Sequence, residues 1–146
     1  MIRFALFGCG RIGRVHADSI DVHPRAELAW VYDPIESAAR AVAKQYGASV
    51  AANVDSAIDD PSVGAVVIAS ATPTHVDLLT RAVRAGKAVL CEKPIDLDMA
   101  RVDRCWVEIE MRFESSWTVS RLRWSARATA SLPTSLRPRT SRRKPS

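Results

Sequence analysis

From residue 1 to about residue 110, short apolar runs alternate with amphipathic segments, the pattern of a parallel sheet joined by crossover helices. Ile2 to Phe7 reads as a first buried strand and Leu28 to Tyr32 as a second. Pro34 marks a helix start, after which Ile35, Ala38, Ala39, Val42, Ala43 and Tyr46 recur at three-and-four spacing, with Gly47 as the stop. Ser49 to Ala51 is a short third strand, and Asn53 or Asp55 caps a brief helix. Ala65 to Ala69 shows no polar alternation, so it is predicted to be a strand buried on both faces. A loop Ser70 to His75, a helix from Val76 to Ala85, a stop at Gly86 and a strand from Ala88 to Cys91 follow. Beyond Glu92-Lys93-Pro94, Asp96 or Asp98 caps a helix whose Val102, Cys105, Trp106 and Ile109 share one face. The order βαβαβαβαβα with right-handed crossovers predicts an α/β fold, one open, doubly wound parallel sheet with helices on both sides.

The remaining 36 residues read differently. They hold 8 Ser, 4 Thr, 8 Arg and 3 Pro, and no period persists in them. Residues 111–146 are therefore expected to be a basic low-complexity tail, disordered from about 125 onward, with 117–123 as a possible edge strand. The overall charge of +5 hides this division. Residues 1–110 carry 12 basic against 15 acidic side chains, a net of −3, while residues 111–146 carry 9 against 1, a net of +8. The tail brings no folded reading module with it, so nonspecific stickiness is expected rather than a specific nucleic-acid partner.

Composition narrows the class further. In 146 residues, 47% apolar content excludes disorder throughout and provides for one domain with a core. The chain contains no run of about 18 apolar residues, so no membrane partner is expected. Its first residues lack a cleavage site, which predicts a cytoplasmic protein. Cys9, Cys91 and Cys105 show no CxxC spacing, which fits reduced thiols rather than disulfides and leaves no expected metal site.

The candidate chemistry begins at Gly8, Gly10 and Gly13, a GxGxxG directly after the first strand and at the mouth of a helix. Each glycine has a physical task there: Gly8 permits the tight turn, Gly10 lets a pyrophosphate approach the backbone, and Gly13 lets helix pack on strand. The N–H groups of the helix start face phosphate oxygens, with Arg11 and Ile12 inside the loop and Arg14 beside it. Asp33 closes the second strand, 20 residues beyond Gly13, where a carboxylate accepts hydrogen bonds from ribose hydroxyls and repels a 2′-phosphate. That favours NAD over NADP; Asp33 also suits a helix cap ahead of Pro34. This is the signature of a Rossmann dinucleotide-binding domain.

In such a sheet ligands collect at the carboxyl ends of the strands, and both Ser70 to His75 and Glu92 to Pro94 leave from that edge. Ser70, Thr72, Pro73 and His75 from the one loop, and Glu92, Lys93 and Pro94 from the other, are expected to meet the cofactor, Thr72 and Pro73 as a wall and His75 also at the start of the next helix. His16 and His23 read as structural or exposed. Lys93, between Glu92 and Pro94, is the candidate catalytic residue, because a lysine in a nucleotide cleft donates to a substrate hydroxyl and eases its deprotonation.

GCGRIGRVHA, the VYDP ending the second strand, ATPTH and AGKAVLCEKPIDLD, in this order and spacing, resemble the N-terminal domain of the Gfo/Idh/MocA oxidoreductase family, with KAVLCEKPIDLDMARVD most similar to its inositol 2-dehydrogenase branch. The resemblance implies that Gly8, Gly10 and Gly13 hold the NAD pyrophosphate and Asp33 the ribose, and that the ATPTH loop lines the nicotinamide end. It further implies that Lys93 meets the nicotinamide ribose and the reacting hydroxyl, with a Lys93–Pro94 peptide of a kind often cis in the family. The implied reaction oxidises a secondary alcohol of a cyclic polyol. Family members continue into a second α/β domain that this chain lacks. A truncated or frameshifted gene product is therefore expected, one that binds NAD with little or no turnover; the alternative is a non-catalytic dinucleotide-binding module. An exposed sheet edge is expected to favour self-association.

Overall fold

The structure, a computed structural model, describes residues 1–112. The expected disorder and the strand at 117–123 lie outside the described residues. Residues Met1–Glu110 form one compact unit. Its elements run β1 (Ile2–Phe7), α1 (Arg11–Asp21), β2 (Ala26–Tyr32), α2 (Glu36–Tyr46), β3 (Ser49–Val50), α3 (Val54–Ile58), β4 (Val63–Ile68), a 3-10 turn (Thr72–Thr74), α4 (His75–Arg84) and β5 (Ala88–Cys91). Residues 99–112 are helical and are called α5.

All four strand pairings are parallel and the order across the sheet is β3-β2-β1-β4-β5. The chain thus works outward from β1 in one direction and then restarts at β4 in the other. The junction of β1 and β4 is where ligands bind in sheets of this kind.

Strand β1 serves both layers. Leu6 packs with Ala17 and Ile20 of α1, Ala39 and Val42 of α2, and Val31. Ala5 and Phe7 face the opposite way, into Ala57, Ile58, Leu78, Leu79, Ala82, Cys105 and Ile109. This period-two division buries both faces of the strand and requires helices on both sides.

Element boundaries depart from the sequence reading where a polar or small residue interrupts an apolar run. β2 begins at Ala26 rather than Leu28, because Glu27 stands opposite Arg3 of β1 and accepts from its Nε at 3.2 Å. β4 begins at Val63, before Gly64, and pairs there with Arg3. α2 starts one residue after Ile35, which takes the N-cap position and is 64% exposed, outside the expected stripe. Gly47 closes that helix at φ +69°, a left-handed cap suited to glycine. Asn53 is the cap of α3, paired with Ser56 in a reciprocal capping box. α4 begins at His75 rather than Val76. In α5, Val102, Cys105 and Ile109 are buried, but Trp106 is 49% exposed. α5 meets α4 through Thr80 with Cys105, Arg84 with Glu108, and Arg101 with Asp77. The buried stripe is narrow, and Trp106 falls beside it.

Candidate functional site

Three loops leave adjacent strand ends at the carboxyl edge. Residues 8–10 follow β1, residues 69–75 follow β4 and residues 92–98 follow β5. Backbone hydrogen bonds carry the sheet register one residue into each: Gly8 N donates to Tyr32 O (2.9 Å), Ala69 N to Phe7 O (2.7 Å) and Glu92 N to Ile68 O (2.9 Å).

The first loop is shaped by backbone proximity. Gly8 has φ +99°, and a Cβ there would lie 2.5 Å from backbone atoms of Ala69 and Ser70. A Cβ on Gly13 would lie 1.9 Å from Gly8 O. Gly10, by contrast, faces nothing within 4 Å. Of the three, Gly10 is therefore the one whose missing side chain leaves room for something outside the protein. It is also the N-cap of α1, which has no side-chain cap and no acidic residue in its first turn. The N–H groups of that turn are left facing outward beside the open space, an anion-binding arrangement. Arg11, Ile12 and Arg14 are exposed around it, while Gly13 is buried.

Asp33 joins this loop to the end of β2. Its Oδ2 accepts from Cys9 N and its Oδ1 from Ile35 N, both at 2.8 Å. Each oxygen keeps a further lone pair, so the carboxylate braces the loop and retains capacity for a hydroxyl donor. The helix-cap reading is met in part: Asp33 caps the turn into α2 from two residues before Ile35. Cys9 is buried between these groups, and burial, with the Asp33 carboxylate adding, pushes its thiol up to about 11. Burial, with Cys105 and Glu92 adding, does the same to Cys91. Both stay protonated near neutrality, poor nucleophiles rather than reactive centres.

The second loop braces itself. Ser70 Oγ and Thr74 Oγ1 are 2.7 Å apart, and Thr74 N and Oγ1 both donate to Ala71 O. Thr72 is half-buried and Pro73 exposed. His75 is only 2% exposed; Nε2 lies 2.9 Å from Ser70 O and Nδ1 2.9 Å from Pro94 O. It spans the second and third loops with its own ring.

In the third loop the Lys93–Pro94 peptide is cis, and Lys93 is exposed. His16, whose sequence position reads only as structural or exposed, donates from Nε2 to Glu92 Oε1 at 2.7 Å. That bond is the main reason the Glu92 carboxyl is held below its usual range. The signal for this pair was a histidine five residues into the helix that follows the glycine loop, which becomes meaningful only once β5 is placed beside β4. His23 lies apart from the three loops, its Nδ1 accepting from Arg25 N.

The residues present fit a dinucleotide. Open space at Gly10 beside uncapped amides suits a pyrophosphate, and a carboxylate at the next strand end suits a ribose. Among the described residues there is no group of three or more side chains that could hold a metal ion, and no helix long and apolar enough to cross a membrane.

Comparison with known proteins agrees with this geometry. The family model of the Gfo/Idh/MocA oxidoreductases, described as an NAD-binding Rossmann fold, matches residues 2–112. An inositol 2-dehydrogenase of Rhizobium meliloti (strain 1021) is 47% identical over 104 residues, 71% of this chain and 31% of that protein. Among solved structures, a putative myo-inositol dehydrogenase from Sinorhizobium meliloti 1021 is 44% identical with a TM-score of 0.74, covering 77% of this chain and 34% of that one. GenD2 from gentamicin A biosynthesis, solved in complex with NAD, is 32% identical with a TM-score of 0.72, covering 76% and 32%. The chain spans about a third of the length of the relatives it matches.

Proposed function

The chain belongs to the Gfo/Idh/MocA oxidoreductase family, and from that premise we propose that it holds NAD, in preference to NADP, as the nucleotide-binding part of an inositol 2-dehydrogenase-type enzyme. The observation that carries the reading is the junction of β1 and β4, where Gly10 opens onto free space beside the uncapped start of α1. On this reading Gly8, Gly10, Arg11, Ile12 and Gly13 surround the pyrophosphate, and their amides supply its hydrogen bonds. Asp33 accepts from the adenosine ribose and disfavours a 2′-phosphate by like-charge repulsion. Ser70, Thr72 and Pro73 wall the nicotinamide end, with Glu92, Lys93 and Pro94 facing them.

When bound, NAD supplies the hydride acceptor. The chain's own contribution is Lys93, whose ammonium donates to the hydroxyl of a cyclic polyol and lowers the cost of removing its proton. The chain spans about a third of each relative's length. Lys93 is exposed to solvent, so on this reading orientation and preorganisation are weak. We propose binding with little or no turnover. A non-catalytic dinucleotide-binding module is the second reading, favoured by the same coverage.

Titration of the 146-residue chain with NAD and NADP, followed by an assay for NADH formation from myo-inositol, tests this. Saturable binding of NAD, weaker binding of NADP and no appreciable NADH are expected. Absence of NAD binding to folded protein overturns the reading. Rapid NADH formation overturns the statement about turnover.

A further inference from the structure

The ring of His75 is almost wholly enclosed although it opens a helix at the edge of the site. Both of its nitrogens meet backbone oxygens at 2.9 Å. A carbonyl oxygen only accepts, so both contacts are hydrogen bonds when each ring nitrogen carries a proton; with one proton, a lone pair would face a lone pair. The two carbonyls belong to different loops, Ser70 after β4 and Pro94 after β5. No nitrogen of the ring is left for a ligand.

Lys93 precedes Pro94. Its other neighbour, Glu92, is gripped by His16 from α1. The exposed lysine is thus flanked on both sides by residues that are tied to other elements, Glu92 through its carboxylate and Pro94 through its carbonyl.

We infer that His75 is a positioning residue for Lys93: its enclosed ring, in hydrogen-bond contact with Ser70 O and Pro94 O, fastens the Lys93–Pro94 segment to the loop after β4 and so fixes where the lysine amine stands. The inference rests on the proposed contact of Lys93 with the nicotinamide end of NAD. Asp96, two residues past Pro94, accepts from Asp98 N at 3.0 Å, and its Oδ2 is 3.1 Å from Arg101 Nη1. The Asp98 amide is the main group holding the Asp96 carboxyl below its usual range, with the charge of Arg101 acting in the same direction.

Coupling between the two residues tests this. In a double-mutant cycle on NAD affinity, His75→Phe and Lys93→Ala are each expected to weaken binding roughly tenfold, the loss of one charge-assisted hydrogen bond, and the double variant no more than either alone. Independent effects, multiplying to roughly a hundredfold, overturn the inference. If His75→Phe does not fold, His75→Gln takes its place with the same coupling expected. If the wild-type chain does not bind NAD, the proposed function falls and the Lys93 side-chain nitrogen resonance decides this inference instead: a shift in the His75 variant supports positioning, and an unchanged resonance overturns it.

Discussion

Alanine at Gly8, Gly10 and Gly13 separates what the loop needs to fold from what it needs to bind. A Cβ at position 13 would stand 1.9 Å from Gly8 O and 2.9 Å from Gly8 C, where real contacts stay beyond 3.0 Å. α1 would have to retreat from β1 by about 1 Å or more, opening the layer that holds Leu6, Ala17 and Ile20. Both sides of the clash are backbone, so no rotamer relieves it, and the cost is about 3–5 kcal/mol, the upper end for single substitutions. Against a total of about 5–15 kcal/mol for a unit of this size, that removes much of the stability. Gly8→Ala combines overlap at 2.5 Å with a positive φ and falls in the same range. Gly10→Ala meets nothing within 4 Å and sits at φ −73°, so its stability changes by only about 0.5 kcal/mol. Its methyl group instead occupies the space proposed for the pyrophosphate, and NAD affinity is expected to fall about 10–100-fold, or about 1.4–2.8 kcal/mol. Guanidinium unfolding read by circular dichroism gives the first quantity and calorimetric titration the second. A Gly10→Ala chain that binds NAD as tightly as wild type refutes the assignment of this opening to the cofactor.

Two further expectations use other residues. Asp33→Ala leaves the Cys9 and Ile35 amides without their acceptor and is expected to cost about 1–3 kcal/mol of stability as well as NAD affinity, whereas Asp33→Asn retains an acceptor and narrows the difference between NAD and NADP in side-by-side titrations; equal discrimination in Asp33→Asn and wild type would remove the ribose role. The Asp60 carboxyl is held down to about 2, chiefly by the Ser62 hydroxyl and then by the Trp30 indole N–H. A depressed folded-state value means the unfolded chain binds the proton first, so this contribution is complete above the ordinary carboxyl range near 3.8 and is lost as pH falls toward 2. Asp60→Asn should flatten the unfolding midpoint against pH across that interval, and an unaltered slope would show that the hydrogen bonds to Trp30 and Ser62 contribute nothing there.

The sheet and the glycine loop were legible because each rests on local pattern. Ile2–Phe7 and Ala88–Cys91 match their strands, and Asp33 was placed by counting from Gly13. What escaped were cross-chain relations. Glu27 looks like an interruption until Arg3 is opposite it, and Trp106 looks like core although only Val102, Cys105 and Ile109 of that stripe are buried. The same limit applied inside the site. A sequence shows His75 two residues after Pro73, but not that its ring reaches the carbonyl of a residue 19 positions away. Nor does it show that His16 reaches Glu92 across 76 positions, a contact that exists only because β5 is laid beside β4.

That contact has a mechanical meaning. Gly10 and His16 sit at the start and the middle of one rigid rod, roughly 9 Å apart at 1.5 Å per residue. One end of the rod borders the opening proposed for the phosphates, and further along it is hooked through Glu92 to the segment carrying the lysine. If the proposed function holds, the placement of this single helix sets both the opening at Gly10 and the anchorage of the strand end that bears the amine.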